Sequence, residues 1–362
     1  MCKLKLLKWE DATVGIINTD NSIEFVVQDL NSVVKIYTQG KLSWTPLEYK
    51  QFIQDRIVSS SRRDIEKILH KAGLVKYDEF KLADITRLLN AKDLFWVAFN
   101  SEEKMADVLK NVFDSIFIRK LNVQGDLVSS PEGMNIKRYA VSEGKYGILK
   151  DRLHPYSTDA ESEVAVYNIG KLLGVQVCPA WLVKTQNGTS AFSKFEYNFA
   201  KEFIVHARRL FTDKDRSDNE YVNLVAKMGN FKKEIQQMIL LDFITRQSDR
   251  HLSNLAVKIH NSTTSMYPLY DNGRSLFYED KEDFMEKAIN NIELYSSEFG
   301  PVGTYLDHIK DFASGVEIGT LIDLKVTKDS IYKSYKQAEI PPEKLEYATV
   351  WSFKCIELLR KF

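Results

Sequence analysis

Short apolar runs alternate with turn residues from the start of the chain to about residue 40. The runs cover residues 13–17, 23–27 and 33–37, and the stretches between them, 18–21 and 29–31, are rich in Asn and Asp. Short β-branched runs bounded by Asn and Asp are typical of strands. The pattern predicts a small N-terminal sheet that contains these three runs.

A helical pattern replaces this alternation between Pro46 and about residue 111, where apolar residues recur at intervals of three to four. The stretch 61–93 has the length of a helix-turn-helix DNA-binding motif. No basic residues cluster on its second helix, however, and ordinary helical packing explains the pattern better. We therefore predict a β-then-helical N-terminal region that ends near Phe117.

Two strand-turn-strand patterns follow in the next part of the chain. The runs 135–141 and 146–150 flank a turn that contains Gly144, and the runs 180–185 and 190–195 flank a second turn. Gly and Asn between two apolar runs are typical of β-hairpins. The sequence predicts two hairpins here.

A single helix is predicted between the two hairpins. Thr158 followed by Glu161 has the spacing of a capping box, which begins a helix. Gly174 follows the last apolar residues of the pattern, where a left-handed glycine commonly ends a helix.

A buried helix, a polar loop and a third hairpin are predicted between Met238 and Gly273. The helix is too apolar for a surface position, and the polar loop covers residues 248–254. Two strand-like runs, 255–259 and 266–270, come next. This order of elements would bring the polar loop and the end of the last strand to one edge of the structure.

Three polar residues would meet at that edge, namely Asp249, Asn254 and Asp271. An Asp can orient an attacking hydroxyl and accept its proton, while an Asn five residues later and a second Asp can bind magnesium. Asp and Asn are also common in ordinary turns, which explains the first two residues equally well. The three together favour a magnesium–phosphate site.

Asp242, inside the apolar helix, is expected to hydrogen-bond to nearby backbone.

A lysine and a glutamate upstream add to this site. Lys150 ends a strand-like run, and Glu163 lies on the helix that follows. A lysine held by a helix carboxylate is how kinase folds fix an ammonium group against the α and β phosphates of ATP. Glu161 competes for the partner role, but its capping-box position favours Glu163.

The polar loop 128–134 precedes the first hairpin and could fold over phosphates through its backbone N–H groups. Gly133 supplies the conformational freedom that such a loop needs, although no Gly-x-Gly-x-x-Gly is present. An ordinary surface loop explains the stretch equally well. Ser129 and Ser130 are hydroxyls close to the expected ATP site and are candidates for autophosphorylation.

The length of 362 residues suits two lobes with ample cores. Most of the chain after residue 200 has a helical pattern. We predict an α+β, two-lobed protein-kinase-like fold. Its predicted domains are residues 1–117, a sheet and helices of unknown function; 118–200, a kinase small lobe; and 201–362, a helical large lobe with the catalytic loop.

Composition limits the cellular setting and the partners. The formal net charge of zero does not favour binding to nucleic acid or to an anionic membrane surface. Three widely spaced cysteines suit a reducing compartment better than a disulfide framework. The sequence contains no apolar run of about 18 residues that would span a membrane. We expect a cytoplasmic protein.

From about residue 118 to its end, the chain resembles the HipA-like kinases, bacterial serine/threonine kinases often found as toxins of toxin–antitoxin pairs. The resemblance rests on Lys150, on the stretch 163–174, on the loop Asp249-Arg250-His251-x-x-Asn254 and on residues 268–273, Pro-Leu-Tyr-Asp-Asn-Gly. The loop also resembles the catalytic loop of phosphatidylinositol kinases. The first 115 residues or so match no family that we can name.

The resemblance implies ATP and Mg²⁺ as cofactors and gives each site residue a role. It implies that Asp249 is the catalytic base, that Asn254 and Asp271 bind magnesium, and that Lys150 binds ATP phosphates. It also implies autophosphorylation in the loop that carries Ser129 and Ser130, and an adenine site near residues 193–196.

The resemblance further implies a protein substrate, such as a translation component of the aminoacyl-tRNA synthetase kind, and a DNA-binding antitoxin partner. Direct binding of this chain to nucleic acid or to a membrane is not expected. Two alternatives stay open: a lipid or small-molecule kinase with the same catalytic loop, and an inactive kinase fold that serves as a binding module. The joint presence of Lys150, Asp249, Asn254 and Asp271 favours an active kinase.

Overall fold

A computed structural model describes residues 5–26, 32–108, 137–185, 188–198, 201–211, 220–260, 263–296 and 303–362. The chain forms two compact units. One contains residues 1–151, 197–205 and 259–263, and the other contains residues 152–196, 206–258 and 264–362. The predicted domain ranges 1–117, 118–200 and 201–362 stay predictions.

The first unit is built from short strands and helices. In chain order they are β1 (Lys5–Trp9), β2 (Ala12–Ile17), β3 (Ile23–Phe25), α1 (Ser32–Thr38), β4 (Ser43–Trp44), α2 (Pro46–Gln54), α3 (Ile65–Lys71), α4 (Glu79–Thr86), β5 (Phe95–Ala98), β6 (Lys137–Ser142) and β7 (Lys145–Asp151).

An antiparallel five-stranded sheet forms the N-terminal part of this unit, with the order β4-β3-β2-β1-β5. The prediction of an N-terminal sheet is confirmed. Strand β5 was not predicted, because it lies inside the stretch that has a helical pattern. All four of its residues are buried, and a strand covered on both faces is a continuous apolar run that periodicity cannot distinguish from a helix.

Residues 33–37 belong to helix α1, so the prediction of a strand there is wrong. Val33, Val34 and Tyr37 are buried and Lys35 is exposed. Positions separated by three and four residues, as Val34 and Val33 are from Tyr37, share one face of a helix, and the apolar run therefore covers the core as a helix.

Aromatic rings pack α1 and α2 against the sheet. The ring of Phe95 in β5 lies 4.9 Å from the ring of Trp9, 5.2 Å from Tyr37 and 5.3 Å from Phe52, each in an edge-on arrangement. Edge-on aromatic pairs add stabilisation to that of the buried area. Phe95 is thus the centre of the N-terminal core.

The hairpin of β6 and β7 has the predicted turn. Glu143 and Gly144 both have positive φ, 49° and 70°, as a two-residue type I′ turn requires. The register sets Lys150 opposite Lys137.

The second unit contains the longer helices and one hairpin. Its elements include α5 (Asp159–Leu173), β8 (Ala180–Thr185), β9 (Gly188–Lys194), α6 (Glu220–Lys227), α7 (Lys232–Thr245), α8 (Glu282–Asn290), α9 (Tyr305–Ala313), α10 (Lys328–Gln337) and α11 (Pro342–Leu359). The described residues also form β10 (Glu202–His206), β11 (Ala256–His260) and β12 (Thr263–Met266). The predicted β8–β9 hairpin is confirmed.

Helix α5 ends as predicted but begins differently. Gly174 has a φ of 73° and caps the C-terminus. The predicted capping box is absent, because the Thr158 hydroxyl donates to the carbonyl of Tyr278 and Glu161 forms an ion pair with Arg152. Tertiary partners have therefore displaced the local motif.

The strand predicted over residues 266–270 is wrong in its position, since β12 ends at Met266. Pro268 has no N–H to donate to a neighbouring strand. Leu269 instead forms a bridge with Val177, where its N–H donates to Gln176 and its carbonyl accepts from Cys178. This bridge fixes the approach of the chain to Asp271.

Helix α7 lies in the core of its unit, as predicted, with every residue from Met238 to Thr245 buried.

Within the part of the chain that the structure describes, no helix is both long and apolar enough to cross a membrane.

Candidate active site

The loop after α7 holds Asp249 and Asn254 together. Helix α7 ends at Arg246, which has a left-handed φ of 52°. The carbonyl of Asp249 accepts from the N–H of His251 at 3.0 Å and from Nδ2 of Asn254 at 2.8 Å. A short 3-10 turn, Leu252–Asn254, closes the loop. The five-residue spacing of the motif is therefore the spacing that lets the Asn side chain reach back to the Asp backbone.

The carboxylate of Asp249 lies beside the side chains of Arg274 and His251. Nε of Arg274 is 3.6 Å from Oδ2, and Nε2 of His251 is 3.9 Å from Oδ1. The Asp249 side chain is 32% exposed, so a substrate hydroxyl can reach it. His251, at 55% exposed, lies at the surface of the loop and not in the core.

Asp271 has a left-handed backbone, with φ at 58°. Few residues other than Gly, Asn and Asp adopt this conformation readily. The carbonyl of Asp271 accepts from Nε2 of Gln247 at 3.4 Å, while Oε1 of the same Gln247 accepts from the N–H of Asp249 at 2.9 Å. One glutamine thus bridges the backbones of both acidic residues.

The fully buried Arg250 joins the elements of the site. Its guanidinium donates twice to the carboxylate of Asp242, with both distances 3.0 Å. It also donates to the carbonyl of Asn254 at 3.2 Å, to the carbonyl of Tyr270 at 2.8 Å and to Oδ1 of Asn272. Arg250 therefore holds α7, the loop and the segment around Asp271 in one network.

The expectation that Asp242 bonds to nearby backbone is wrong, because its partner is Arg250. Burial raises the pKa of Asp242 above its ordinary value, and the Arg250 charge opposes this shift. Burial by itself would lower the pKa of Arg250, but the Asp242 carboxylate more than compensates and the pKa is raised. The two-point contact between both groups is that of an ionised pair.

Glycine 273 lets the segment after Asp271 approach α5 closely. A Cβ on Gly273 would lie 3.1 Å from the carbonyl oxygen of Asp159 and 3.3 Å from its Cβ. Two residues further on, the carbonyl of Ser275 accepts from the hydroxyl of Ser162 at 3.0 Å. The glycine of the Asp-Asn-Gly sequence is thus explained by a backbone contact with the first turn of α5.

The structure brings Asp249, Asn254 and Asp271 into one hydrogen-bonded network through Gln247 and Arg250. Their predicted roles remain predictions.

Two other predicted site residues, Glu163 and Lys150, belong to different units. Glu163 is buried on α5 in the second unit, and Lys150 is buried on β7 in the first. Their predicted pairing stays a prediction. Gly133, Ser129 and Ser130 lie outside the described residues.

The donor set suits magnesium held jointly with phosphate. Nδ2 of Asn254 donates to the Asp249 carbonyl, which fixes the amide with its Oδ1 on the side away from that carbonyl. Among the described residues, no group of three or more His, Cys, Asp and Glu could hold a metal ion. Mg²⁺ is usually bound by one or two carboxylates together with water and substrate phosphates. Asn254 and Asp271 fit that mode.

Gln247, Arg250 and Arg274 were missed as site residues. The one signal in the sequence was Asp242 inside an apolar helix, since a buried carboxylate requires a partner. Gln247 and Arg274 gave no signal, because their contacts depend on how the loop and the Asp271 segment meet.

Two solved structures share the fold of this chain. The proinflammatory kinase CtkA of Helicobacter pylori superposes with a TM-score of 0.51 at 15% identity, covering 67% of this chain and 98% of CtkA. HipA of Shewanella oneidensis MR-1, solved with HipB and operator DNA, superposes with a TM-score of 0.51 at 13% identity, covering 99% of both chains. The fold is that of a HipA-like kinase. The predicted fold class is confirmed.

The HipA match includes the N-terminal part, for which the sequence suggested no relative. The CtkA match covers nearly all of CtkA and two thirds of this chain. No family model matches the sequence, and no curated protein matches it.

Proposed function

We propose that this chain is an ATP- and magnesium-dependent protein kinase that transfers the γ-phosphate to a serine or threonine hydroxyl. The observation that carries the proposal is the fixed loop in which the Asn254 amide is bound to the Asp249 backbone at 2.8 Å. Gln247 joins this loop to Asp271. The kinase-like fold of HipA and CtkA supports the same conclusion.

Each residue has a task in this proposal. Asp249 accepts a hydrogen bond from the acceptor hydroxyl, orients it and takes up its proton. Asn254 and Asp271 would hold magnesium through an amide and a carboxylate oxygen, and Lys150, with Glu163 as its proposed partner, would bind the phosphates. Bound magnesium would neutralise charge on the phosphate oxygens. Arg274 adds a positive charge 3.6 Å from the Asp249 carboxylate and would stabilise negative charge that develops on a phosphate bound beside Asp249.

We also propose a protein partner of the antitoxin kind and a protein substrate such as a translation component. The Shewanella HipA structure contains HipB and operator DNA, which supports the first of these. It gives no support to the expectation that this chain avoids nucleic acid. Autophosphorylation of Ser129 or Ser130 and a cytoplasmic location are further proposals.

The test is phosphoryl transfer from labelled ATP by the full chain, with and without magnesium. We expect magnesium-dependent labelling of serine or threonine, and a loss of about 100-fold or more in Asp249→Ala, because a positioned general base contributes at least that much. Asp311→Ala, at an exposed aspartate of α9, is the matched control and should keep full activity.

Two results would contradict the proposal. Absence of phosphorylation and of ATP hydrolysis above the Asp249→Ala level would exclude a kinase, and retained nucleotide binding would then indicate a binding module. Full magnesium-dependent activity in Asp271→Asn would show that the metal assignment is wrong. Mass spectrometry of the stretch 128–134 after incubation with ATP tests autophosphorylation.

A further inference from the structure

Gln247 is fully buried between the two acidic residues of the site, and its side-chain amide contacts both. The amide oxygen accepts from the N–H of Asp249 at 2.9 Å, and the amide nitrogen donates to the carbonyl of Asp271 at 3.4 Å. The two ends of one rigid planar group therefore hold two segments that are separated by 22 residues in the sequence.

The backbone of Gln247 is fixed independently of its side chain. Its N–H donates to the carbonyl of Asp242 at 2.9 Å. Its carbonyl accepts from the hydroxyls of Tyr295 at 2.8 Å and Tyr305 at 3.1 Å, and the two tyrosine rings stack 5.3 Å apart. All these residues belong to the second unit. The amide is thus carried by a frame that consists of the end of α7, Tyr295 and the first residue of α9.

Asp271 needs such support because of its backbone. Its φ of 58° is a conformation that costs free energy for a residue with a side chain. A hydrogen bond to its carbonyl stabilises the peptide orientation, and this orientation determines where the carboxylate points.

We infer that Gln247 is a positioning residue that sets the placement of Asp249 relative to Asp271 for phosphoryl transfer. This inference rests on the proposed kinase function. Gln247 is fully buried and both ends of its amide contact protein backbone, so it acts through the backbones of the two aspartates. A displacement of about 1 Å in an active site can reduce a rate by about 100-fold, so the effect of losing the bridge is measurable.

The variant Gln247→Glu tests whether the hydrogen bonds of Gln247, and not only its volume, are needed for activity. A neutral Glu can still donate with its O–H and accept with its other oxygen, whereas an ionised Glu can only accept. Burial favours the neutral form. We expect the activity of Gln247→Glu relative to wild type to fall by about tenfold or more as the pH rises, with an increase in the Mg²⁺ concentration that gives half-maximal rate.

Gln237→Glu is the matched control, since Nε2 of Gln237 also donates to a backbone carbonyl, that of Leu321, at 2.7 Å but away from the site. Its activity relative to wild type should not change with pH. Gln247→Met removes both hydrogen bonds without adding a charge, and we expect it to lower kcat by about tenfold or more at every pH. It provides the test if Gln247→Glu does not fold.

The outcomes are distinct. A wild-type protein without magnesium-dependent phosphoryl transfer would overturn both the proposed function and this inference. An active wild type, with Gln247→Glu matching Gln237→Glu at each pH or with Gln247→Met at full kcat, would overturn the role of Gln247 alone. Circular dichroism of each variant across the same pH range confirms that folded protein is compared.

Discussion

Replacement of Arg250 should destabilise the second unit more than most single substitutions. In Arg250→Met the side chain keeps its approximate length but loses every hydrogen bond of the guanidinium. The carboxylate of Asp242 then stays fully buried without its partner, and the carbonyls of Asn254 and Tyr270 each lose a donor.

The expected cost follows from the burial of this pair, whose side chains are both 0% exposed. Removal of one partner from a buried ion pair typically costs about 3–5 kcal/mol, because an uncompensated charge is left in the interior. Total stabilities are about 5–15 kcal/mol, so the variant should lose a large part of its free energy of unfolding. Asp242→Asn, which leaves the guanidinium without a counter-charge, should have a cost of similar size.

Urea-induced unfolding of the full chain, followed by circular dichroism and tryptophan fluorescence, measures these costs. The double variant Asp242→Asn with Arg250→Met should be more stable than the sum of the single effects predicts, by about 1–3 kcal/mol, since contacting residues are not additive. The reasoning would be refuted if Arg250→Met unfolded within about 1 kcal/mol of wild type, or if the single effects simply added.

Three further outcomes can be measured on the same protein. Gly273→Ala should lower stability by about 1–3 kcal/mol in thermal unfolding, because its Cβ would press on the first turn of α5, whereas Gly229→Ala, with open space around the Cβ, should change little. The N–H and hydroxyl of Thr304 donate to Asp307 and hold the pKa of its carboxyl below the ordinary 3.8. The stability that Asp307 adds over Asp307→Asn should therefore be full well above pH 3.8 and should be lost as the pH falls through the lowered pKa of this carboxyl; an unchanged difference would exclude this. Burial raises the pKa of the Cys355 thiol, so a thiol reagent should label it after denaturation and not in the folded protein.

Local turn chemistry explains which parts of the fold the sequence could predict. Gly144 and Gly174 occupy left-handed positions that define a hairpin turn and a helix end, and both elements are present as predicted. Neighbouring residues determine such features. The run 33–37 and strand β5 were assigned wrongly, because their apolar residues fit either a helix or a strand and only packing against the rest of the sheet decides.

The candidate site also combines features that neighbouring residues determine with contacts between residues far apart in the sequence. The five-residue spacing of Asp249 and Asn254 forms a closed loop by itself, so its geometry follows from the sequence. The contacts of Arg250 reach back eight residues to Asp242 and forward 22 residues to Asn272. No local pattern could reveal them. The capping box predicted at Thr158 is wrong for the same reason, because the Thr158 hydroxyl donates to the carbonyl of Tyr278, which lies 120 residues away in the sequence.

The contact between Gly273 and the first turn of α5 has a mechanical consequence. Since no side chain separates the two backbones, and the Ser162 hydroxyl binds the Ser275 carbonyl, the helix that carries Glu163 and the segment that carries Asp271 move as one piece. A shift of α5 therefore displaces a predicted phosphate-side residue and a predicted metal ligand together.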